Sequence, residues 1–207
     1  MLHAGMRALY AHAGGDIGTS QSWRAGLSML RADAADQGLN FSAADGSLLA
    51  GRFSGRSTVN VVDAVWKWAP DGNPTRRNFK LQGEYLRSRR DGTLLADPDG
   101  AASSSGYRVT QSGWYLQGIW QFEPRWRVGA RTEQVDPGTP DYGDNQALFS
   151  ASGYRPRKNS LTLDFSTSEF ARLRLQWARD LAREGQPDQQ LFLQYQMSLG
   201  AHGAHSF

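Results

Sequence analysis

The feature that most constrains this chain is a period of two. Apolar and polar residues alternate through about nine segments, whereas a helix would bring apolar residues back every third or fourth position. In STVNVVDAVWKWAP the apolar set is Val62, Ala64, Trp66 and Trp68, with Asp63 and Lys67 opposite. RNFKLQGEYLRSRR sets Phe79, Leu81, Gly83 and Tyr85 against Lys80, Gln82 and Glu84. SGWYLQGIWQF places Trp114, Leu116, Trp120 and Phe122 on one side, and WRVGART opposes Trp126, Val128 and Ala130 to Arg127, Arg131 and Glu133. NSLTLDFS alternates Leu161, Leu163 and Phe165 with Thr162 and Asp164. FARLRLQWARDL opposes Leu173, Leu175 and Trp177 to Arg172, Arg174, Gln176 and Asp180. As a helix, that last segment would scatter leucine and arginine around its whole circumference, so strand is the reading. The two opening segments put Ala4, Met6, Ala8 and Tyr10 on one face, then Trp23, Ala25, Leu27 and Met29. The last segment, LFLQYQMSLGAHGAHSF, alternates through Leu191, Leu193, Tyr195, Met197, Leu199 and Ala201.

Alternation says that one face is greasy, not which solvent the greasy face meets. The connections narrow the choice. Short ones (AGGDIGTS, DGNPTRR, Glu123-Pro124, STSEF) alternate with longer ones (ADQGLNFSAADGSLLAGRFSGR, DGTLLADPDGAASSSG, DPGTPDYGDNQALFSASGYRPRK), and the modest AREGQPDQ comes last. Tight turns on one rim and long loops on the other are expected of transmembrane barrels. The predicted fold is therefore all-β, an antiparallel up-and-down transmembrane barrel. Residues 1–207 read as a single barrel region with no separate plug or soluble domain. If the C-terminus is periplasmic, every long loop falls outside and the first segment runs downward from the outer surface. An odd count that starts outside implies upstream strands before Met1, and MLHAGMRALYAHAGG has no secretory h-region, so the chain reads as the C-terminal part of a longer barrel.

Composition agrees with a thin greasy stripe better than with a deep core. Only 39% of the 207 residues are apolar, yet there are seven Trp, seven Tyr and nine Phe. The net charge of +3 is spread along the chain, without the basic block and interleaved aromatics of a nucleic-acid platform, so no nucleic-acid partner is expected. The chain has no cysteine, which removes disulfides, thiolate metal sites and Cys nucleophiles. No apolar run is long enough for a transmembrane helix. Between His12 and His202 there is no histidine to activate a nucleophile, so an enzyme is not expected. His202 and His205, with His3 and His12, are poorly spaced for a metal, and neither metal nor cofactor is expected. Asp141, Asp144 and Asn145 read as a solvated external turn rather than a calcium loop.

On the face opposite the apolar stripe, Arg7, Arg24, Lys67, Lys80, Arg127, Arg131, Arg172 and Arg174 outnumber Asp63, Glu84, Glu133, Asp164 and Asp180. Charged walls are costly in a dry interior and cheap beside water. Lys67, Lys80, Glu84, Arg127, Arg131, Arg172 and Arg174 are therefore pore-lining candidates, with a weak anion preference expected from the cationic excess. Cross-strand pairing among these charges is the alternative role. Trp66, Trp68, Tyr85, Trp114, Trp120, Trp126 and Trp177, with Tyr10 and Trp23, fall near segment ends. They are candidate membrane-interface aromatics, their rings in the acyl boundary and their polar atoms wet. Gly83 and Gly118 interrupt the apolar face and read as sites of bending or close packing.

The terminus LFLQYQMSLGAHGAHSF, closed by Phe207, resembles the last strand of outer-membrane β-barrels. That resemblance implies that Phe207 is part of the signal read by the barrel-assembly machinery. WKWAPDGNPTRRNFKLQGEY and FARLRLQWARDLAREGQPDQQLFLQYQMSLGAHGAHSF look like the C-terminal part of proteobacterial porin-like proteins or TonB-dependent receptors, over roughly residues 57–207. Gly203 and His205 depart from the alternating apolar terminus of that group. The resemblance implies a bacterial outer-membrane location, a bilayer and lipopolysaccharide as surroundings, and a small solute as cargo. Three functions follow as expectations: a passive channel, the barrel portion of a TonB-dependent uptake receptor, or a non-conducting barrel with structural or interaction roles. A soluble lipocalin-like binder with its apolar face inward is the fourth.

Overall fold

A computed structural model describes residues 5–96 and 102–198. They form one sheet of nine strands in sequence order, each antiparallel to its neighbours. The strands are β1 (Met6–Ile17), β2 (Gln21–Ser42), β3 (Leu48–Trp68), β4 (Asn78–Ala96), β5 (Ser103–Glu123), β6 (Trp126–Asp136), β7 (Arg157–Ser166), β8 (Ala171–Arg183) and β9 (Gln186–Met197). The sheet is barrel-like but open, with β1 and β9 as its two edges. Because the count between them is odd, the two edge strands run in the same direction. Two short 3-10 segments, Pro70–Gly72 and Gly143–Leu148, lie between strands.

Residues directly opposite each other in an antiparallel pair project to the same side, so register assigns the faces. One row can be followed from β9 to β1 through Leu191, Trp177, Leu161, Ala130, Gly118, Leu81, Trp66, Trp23 and Gly15. Below it on the same face lie Trp68, Phe79, Trp120, Val128, Leu163, Leu175 and Leu193, and above it, on β1–β5 alone, Ala13, Ala25, Ala64, Gly83 and Leu116, which together make an apolar band across all nine strands. On β9 the band ends upward at Leu191. On β1 it continues to Leu9, six residues beyond Gly15. The upper border therefore falls by about 20 Å along the strands over eight strand spacings of about 4.8 Å, a slope of roughly 30°. A level band drawn around a barrel crosses its strands at such a slope, because barrel strands tilt by about 35–45°.

The band is the exposed side. Leu193 is 78%, Leu27 62% and Leu161 51% accessible, whereas on the opposite, polar face Asp164 is 4% accessible and Ala178 is fully covered. Gly118, in the middle of the band, has the Phe79 ring lying over it, where an added Cβ would sit 3.4 Å from the ring. Gly83 is likewise closely approached, by the Tyr115 carbonyl and the Leu116 side chain. Both glycines are sites of close packing.

Three expectations need correcting. The long stretches after β2 and β4 are strand rather than loop. β2 and β3 run on to a turn at residues 43–47, and β4 and β5 reach Ala96 and Ser103. Beyond the band the outward face carries serine, threonine and charge while Phe53, Leu94, Tyr107 and Val109 fall on the other face, and the glycines and serines among them obscure the alternation in the sequence. A bulge between Ala34 and Gln37, with Asp36 at φ 59°, also shifts the phase of β2 partway along. The first strand had its faces inverted. Leu9, Ala11 and Ala13 pair with Met29, Leu27 and Ala25, so Arg7 points outward and Tyr10 shares the polar face with His12, at 5.9 Å between ring centroids. Both faces of MRALYAHA carry apolar residues, so the sequence does not fix the phase.

The third correction concerns residues 137–156, expected as a long external loop whose PDYGDN part is a solvated turn. This segment folds back onto the polar face of the extended ends of β2–β5. Tyr142 and Phe149 join Phe53, Leu94, Ala96, Tyr107 and Val109 in a small buried core, with Leu39, Phe41, Leu49 and Leu148 around it. Backbone bonds pair Arg108 with Asp141 in both directions and tie Ser150 to Ser42 and Ala44 to Leu148. Asn145 is buried, and its side-chain oxygen accepts from the Ser103 hydroxyl at 2.7 Å.

Candidate functional site

The polar face is ordered in register rows. One row runs unbroken from β1 to β9 through His12, Gly26, Asp63, Glu84, Tyr115, Glu133, Lys158, Asp180 and Asp188. It is predominantly acidic. Gly26 has a specific task in it, because a Cβ there would collide with the His12 ring and the Asp63 carboxylate. Its bareness lets His12 Nε2 approach Asp63 Oδ2 to 3.5 Å across the intervening strand, while Arg24 reaches the other oxygen at 3.7 Å. Further along, Lys158 bridges Asp180 at 3.0 Å and donates to Gln190. A hollow of about 440 Å³ lies along this row, lined by Glu84, Tyr115, Arg131, Glu133, Lys158 and Asp180.

Four residues nearer the lower rim the sign reverses. Lys67 on β3 and Lys80 on β4 are directly opposite each other, and neither has an ion-pair partner among the described residues. Two like charges side by side repel, and water between them offsets the cost. In the next row down, Arg127 stands beside Gln121, which accepts its Nε–H at 2.9 Å and donates to the Thr75 carbonyl. Asp164 and Arg174 continue that row. The buried Asp164 carboxylate takes Arg174 bidentately at 2.7 and 2.8 Å and holds Arg172 at 3.5 Å. The lower part of the polar face thus carries Lys67, Lys80, Arg127, Arg172 and Arg174 around one carboxylate.

All seven pore-lining candidates lie on this face, but they do not form one cluster. Arg131 belongs to a separate group, bonded to Glu133 at 2.6 Å and stacked 3.9 Å over the Tyr115 ring. Arg172 and Arg174 pair across strands with Asp164, whereas Arg131 pairs with Glu133 on its own strand. Lys67, Lys80 and Glu84 make no ion pair among the described residues, and Arg127 has only its neutral glutamine partner. The seven interface aromatics all lie on the band. Trp68, Trp120 and Trp126 mark its lower border, with Trp66 one step inside, while Tyr85, Trp114 and Trp177 mark the upper one. Phe207, His3, His202 and His205 lie outside the described residues.

That segment 137–156 folds inward and closes a buried core goes beyond the reading of Asp141, Asp144 and Asn145 as a solvated turn. The signal for it was the run of Tyr142, Leu148 and Phe149 within an otherwise polar stretch, because a solvated turn has no use for three large apolar side chains. Burial, together with the neighbouring Tyr107 phenol, pushes the Tyr142 hydroxyl up to about 12.

The fold and face assignment define the class: an all-β, up-and-down, barrel-like sheet with an exposed apolar band and a charged opposite face. No family model matches the chain. It is 28% identical over 165 residues to a protein of Aquifex aeolicus (strain VF5) described as uncharacterized, an alignment covering 75% of this chain. The match spans 32% of that relative, so the chain corresponds to about a third of its length.

Proposed function

We propose that the chain forms part of a porin-like β-barrel of a Gram-negative outer membrane, through which small solutes diffuse with a weak preference for anions. One observation carries the reading: the largest apolar side chains form a continuous exposed band whose borders slope as a level slab would cut tilted strands. Soluble proteins rarely expose apolar patches beyond a few hundred Å², and this band spans nine strands. A lipocalin-like binder would need the opposite arrangement, with leucine and tryptophan on the covered face. The aromatic borders support the same reading, since indole and phenol rings favour the headgroup boundary.

In this reading the polar face borders the aqueous lumen. Lys67, Lys80 and Arg127, free of carboxylate partners among the described residues, raise the local anion concentration. Asp164 holds Arg172 and Arg174 in place and offsets part of their charge. No catalytic role is proposed. The barrel portion of a TonB-dependent receptor is a proposal for the whole protein and depends on parts beyond these strands. A non-conducting barrel has an observation of its own in its favour, the segment 137–156 lying across the polar face.

Planar-bilayer recording of the full-length protein separates these readings. A pore gives discrete conductance steps with a reversal potential displaced toward chloride in a KCl gradient. Lys67→Glu with Lys80→Glu moves that potential toward the cation side. Absence of any conductance from correctly inserted protein selects the filled barrel. Tryptophan emission undimmed by brominated phosphatidylcholine in reconstituted vesicles overturns the membrane reading itself.

A further inference from the structure

Ten arginines on the outward face lie on or beyond the upper border of the apolar band, and they divide into two sets. The higher set is paired: Arg52 with Asp36 at 2.7 Å, Arg56 with Asp33 at 3.2 Å, Arg89 and Arg108 both with Asp91, and Arg155 with Asp136 at 2.9 Å. The lower set consists of Arg7, Arg31, Arg87, Arg157 and Arg179. All five are exposed, and none has an ion-pair or hydrogen-bond partner among the described residues. Their positions follow the sloping border. Arg7 and Arg31 come two residues beyond Leu9 and Met29, Arg87 two beyond Tyr85, Arg179 two beyond Trp177, and Arg157 four beyond Leu161.

Their cross-strand neighbours sharpen the contrast. Arg7 and Arg31 face each other directly. Arg31 has Thr58 on its other side, Arg87 lies between Asn60 and Ser112, Arg157 between Gln134 and Leu181, and Arg179 between Asn159 and Gln189. No carboxylate adjoins any of the five in these rows. Two guanidinium groups directly opposite repel each other unless an anion bridges them.

We propose that these five arginines form a docking row for the phosphate groups of anionic lipid headgroups in the leaflet that meets the upper border. The inference rests on reading the band as lipid-facing. A guanidinium presents a planar fork of donors that matches phosphate oxygens bidentately, and the bond strengthens at the partly dehydrated edge of a bilayer. The neutral Asn, Gln, Ser and Thr neighbours supply further hydrogen bonds without competing for the guanidinium. The higher arginines, saturated by aspartates, hold the extended strands together instead. The border arginines are left open because their counter-charge comes from the lipid.

The test uses the full-length protein in phosphatidylcholine vesicles containing a minor share of brominated phosphatidic acid, with dimming of tryptophan emission as the readout. The row predicts that phosphatidic acid occupies sites around the protein about fivefold more readily than phosphatidylcholine, since each basic residue near an anionic surface attracts by about that factor. Replacing Arg31, Arg87, Arg157 and Arg179 together by Gln should bring the ratio to about one, while the double variant Arg52→Gln, Arg56→Gln leaves it unchanged. Enrichment that survives the fourfold replacement overturns the proposal. Should that variant not fold, 1 M NaCl on the unaltered protein replaces it, and enrichment indifferent to salt overturns the proposal equally. Loss of enrichment on adding inorganic phosphate at matched ionic strength assigns the row to the free ion and overturns the lipid assignment. Brominated phosphatidylcholine alone reports on the band: dimming by it without phosphatidic acid enrichment sinks only this inference, and no dimming by either lipid sinks the membrane reading and this inference with it.

Discussion

The upper ends of β2–β5 and the four-strand run β6–β9 come from one sheet, yet they obey different rules. β2–β5 are 19–22 residues long and, where they rise beyond the band, bury Phe53 and Leu94 beneath Tyr142 and Phe149. β6–β9 are 10–13 residues long, and Leu161, Leu163, Leu173, Leu175, Trp177, Leu191 and Leu193 point outward and are exposed. The first region is built like a small soluble protein, apolar inside and charged outside. The second is built the other way round. The comparison teaches that an apolar residue in this chain has two possible surroundings, and that height along the strand decides which one it meets.

The largest effect should come from emptying the upper core. Phe53→Ala removes a ring that is wholly covered, which costs about 3–5 kcal/mol. Exchange of the amides of residues 137–156, followed by mass spectrometry, should accelerate while the amides of β7–β9 keep their protection. Equal acceleration in both regions would mean that they unfold as one unit and would break the comparison.

Next comes a charge placed in the band. Leu163→Arg on the outward face of β7 should destabilise refolding into vesicles by about 2–4 kcal/mol, measured by urea titration, as expected near a bilayer midplane. Ser160→Glu, three residues away on the polar face and directly opposite Arg131, should cost less than about 0.5 kcal/mol, because the new charge borders water and faces a cation. If the two substitutions cost the same, the faces do not meet different solvents.

A smaller effect is expected at Asp164. Asp164→Asn leaves Arg172 and Arg174 without their shared carboxylate. The cost is about 1–2 kcal/mol, below that of a fully buried pair because both guanidiniums reach water. In a conducting barrel the same change also displaces the reversal potential further toward chloride.

How much of this was legible in the sequence follows from the same division. On most strands the band imposes a clear alternation, and Phe79 to Tyr85 and Leu173 to Trp177 announce strand and face together. Arg172, Arg174, Lys67 and Lys80 could be assigned to the polar face for the same reason. Above the band the constraint vanishes. DGTLLADPDG reads as loop although Thr93, Leu94 and Leu95 belong to β4, because glycine, aspartate and serine are harmless on a strand with water on its outer side. The bulge before Gln37 and the doubly apolar first strand defeat a simple period for local reasons. The unpaired arginines at the border were legible one by one but not as a set, since only register shows that Arg31, Arg87 and Arg179 trace one edge.

The finest test of the comparison uses pH. The Tyr142 hydroxyl is held near 12 by burial, against about 10 for an unfolded tyrosine. The docked segment therefore keeps its proton where the undocked one has lost it. The burial contribution is complete below pH 10 and is lost as pH rises toward 12, because ionisation favours the exposed phenol. Proteolysis of residues 137–156 should accelerate across that interval, with tyrosinate absorbance appearing at the same pH. Tyr142→Phe removes that phenol, so its proteolysis should change less between pH 10 and 12 while the ring remains packed against Phe149 at 4.2 Å between centroids. Among the described residues β7–β9 hold no buried phenol, their one tyrosine, Tyr195, being exposed, and they should resist cleavage throughout. If β7–β9 open at the same pH as the segment, the upper core and the band are a single cooperative structure, and the boundary between them lies in their surroundings alone.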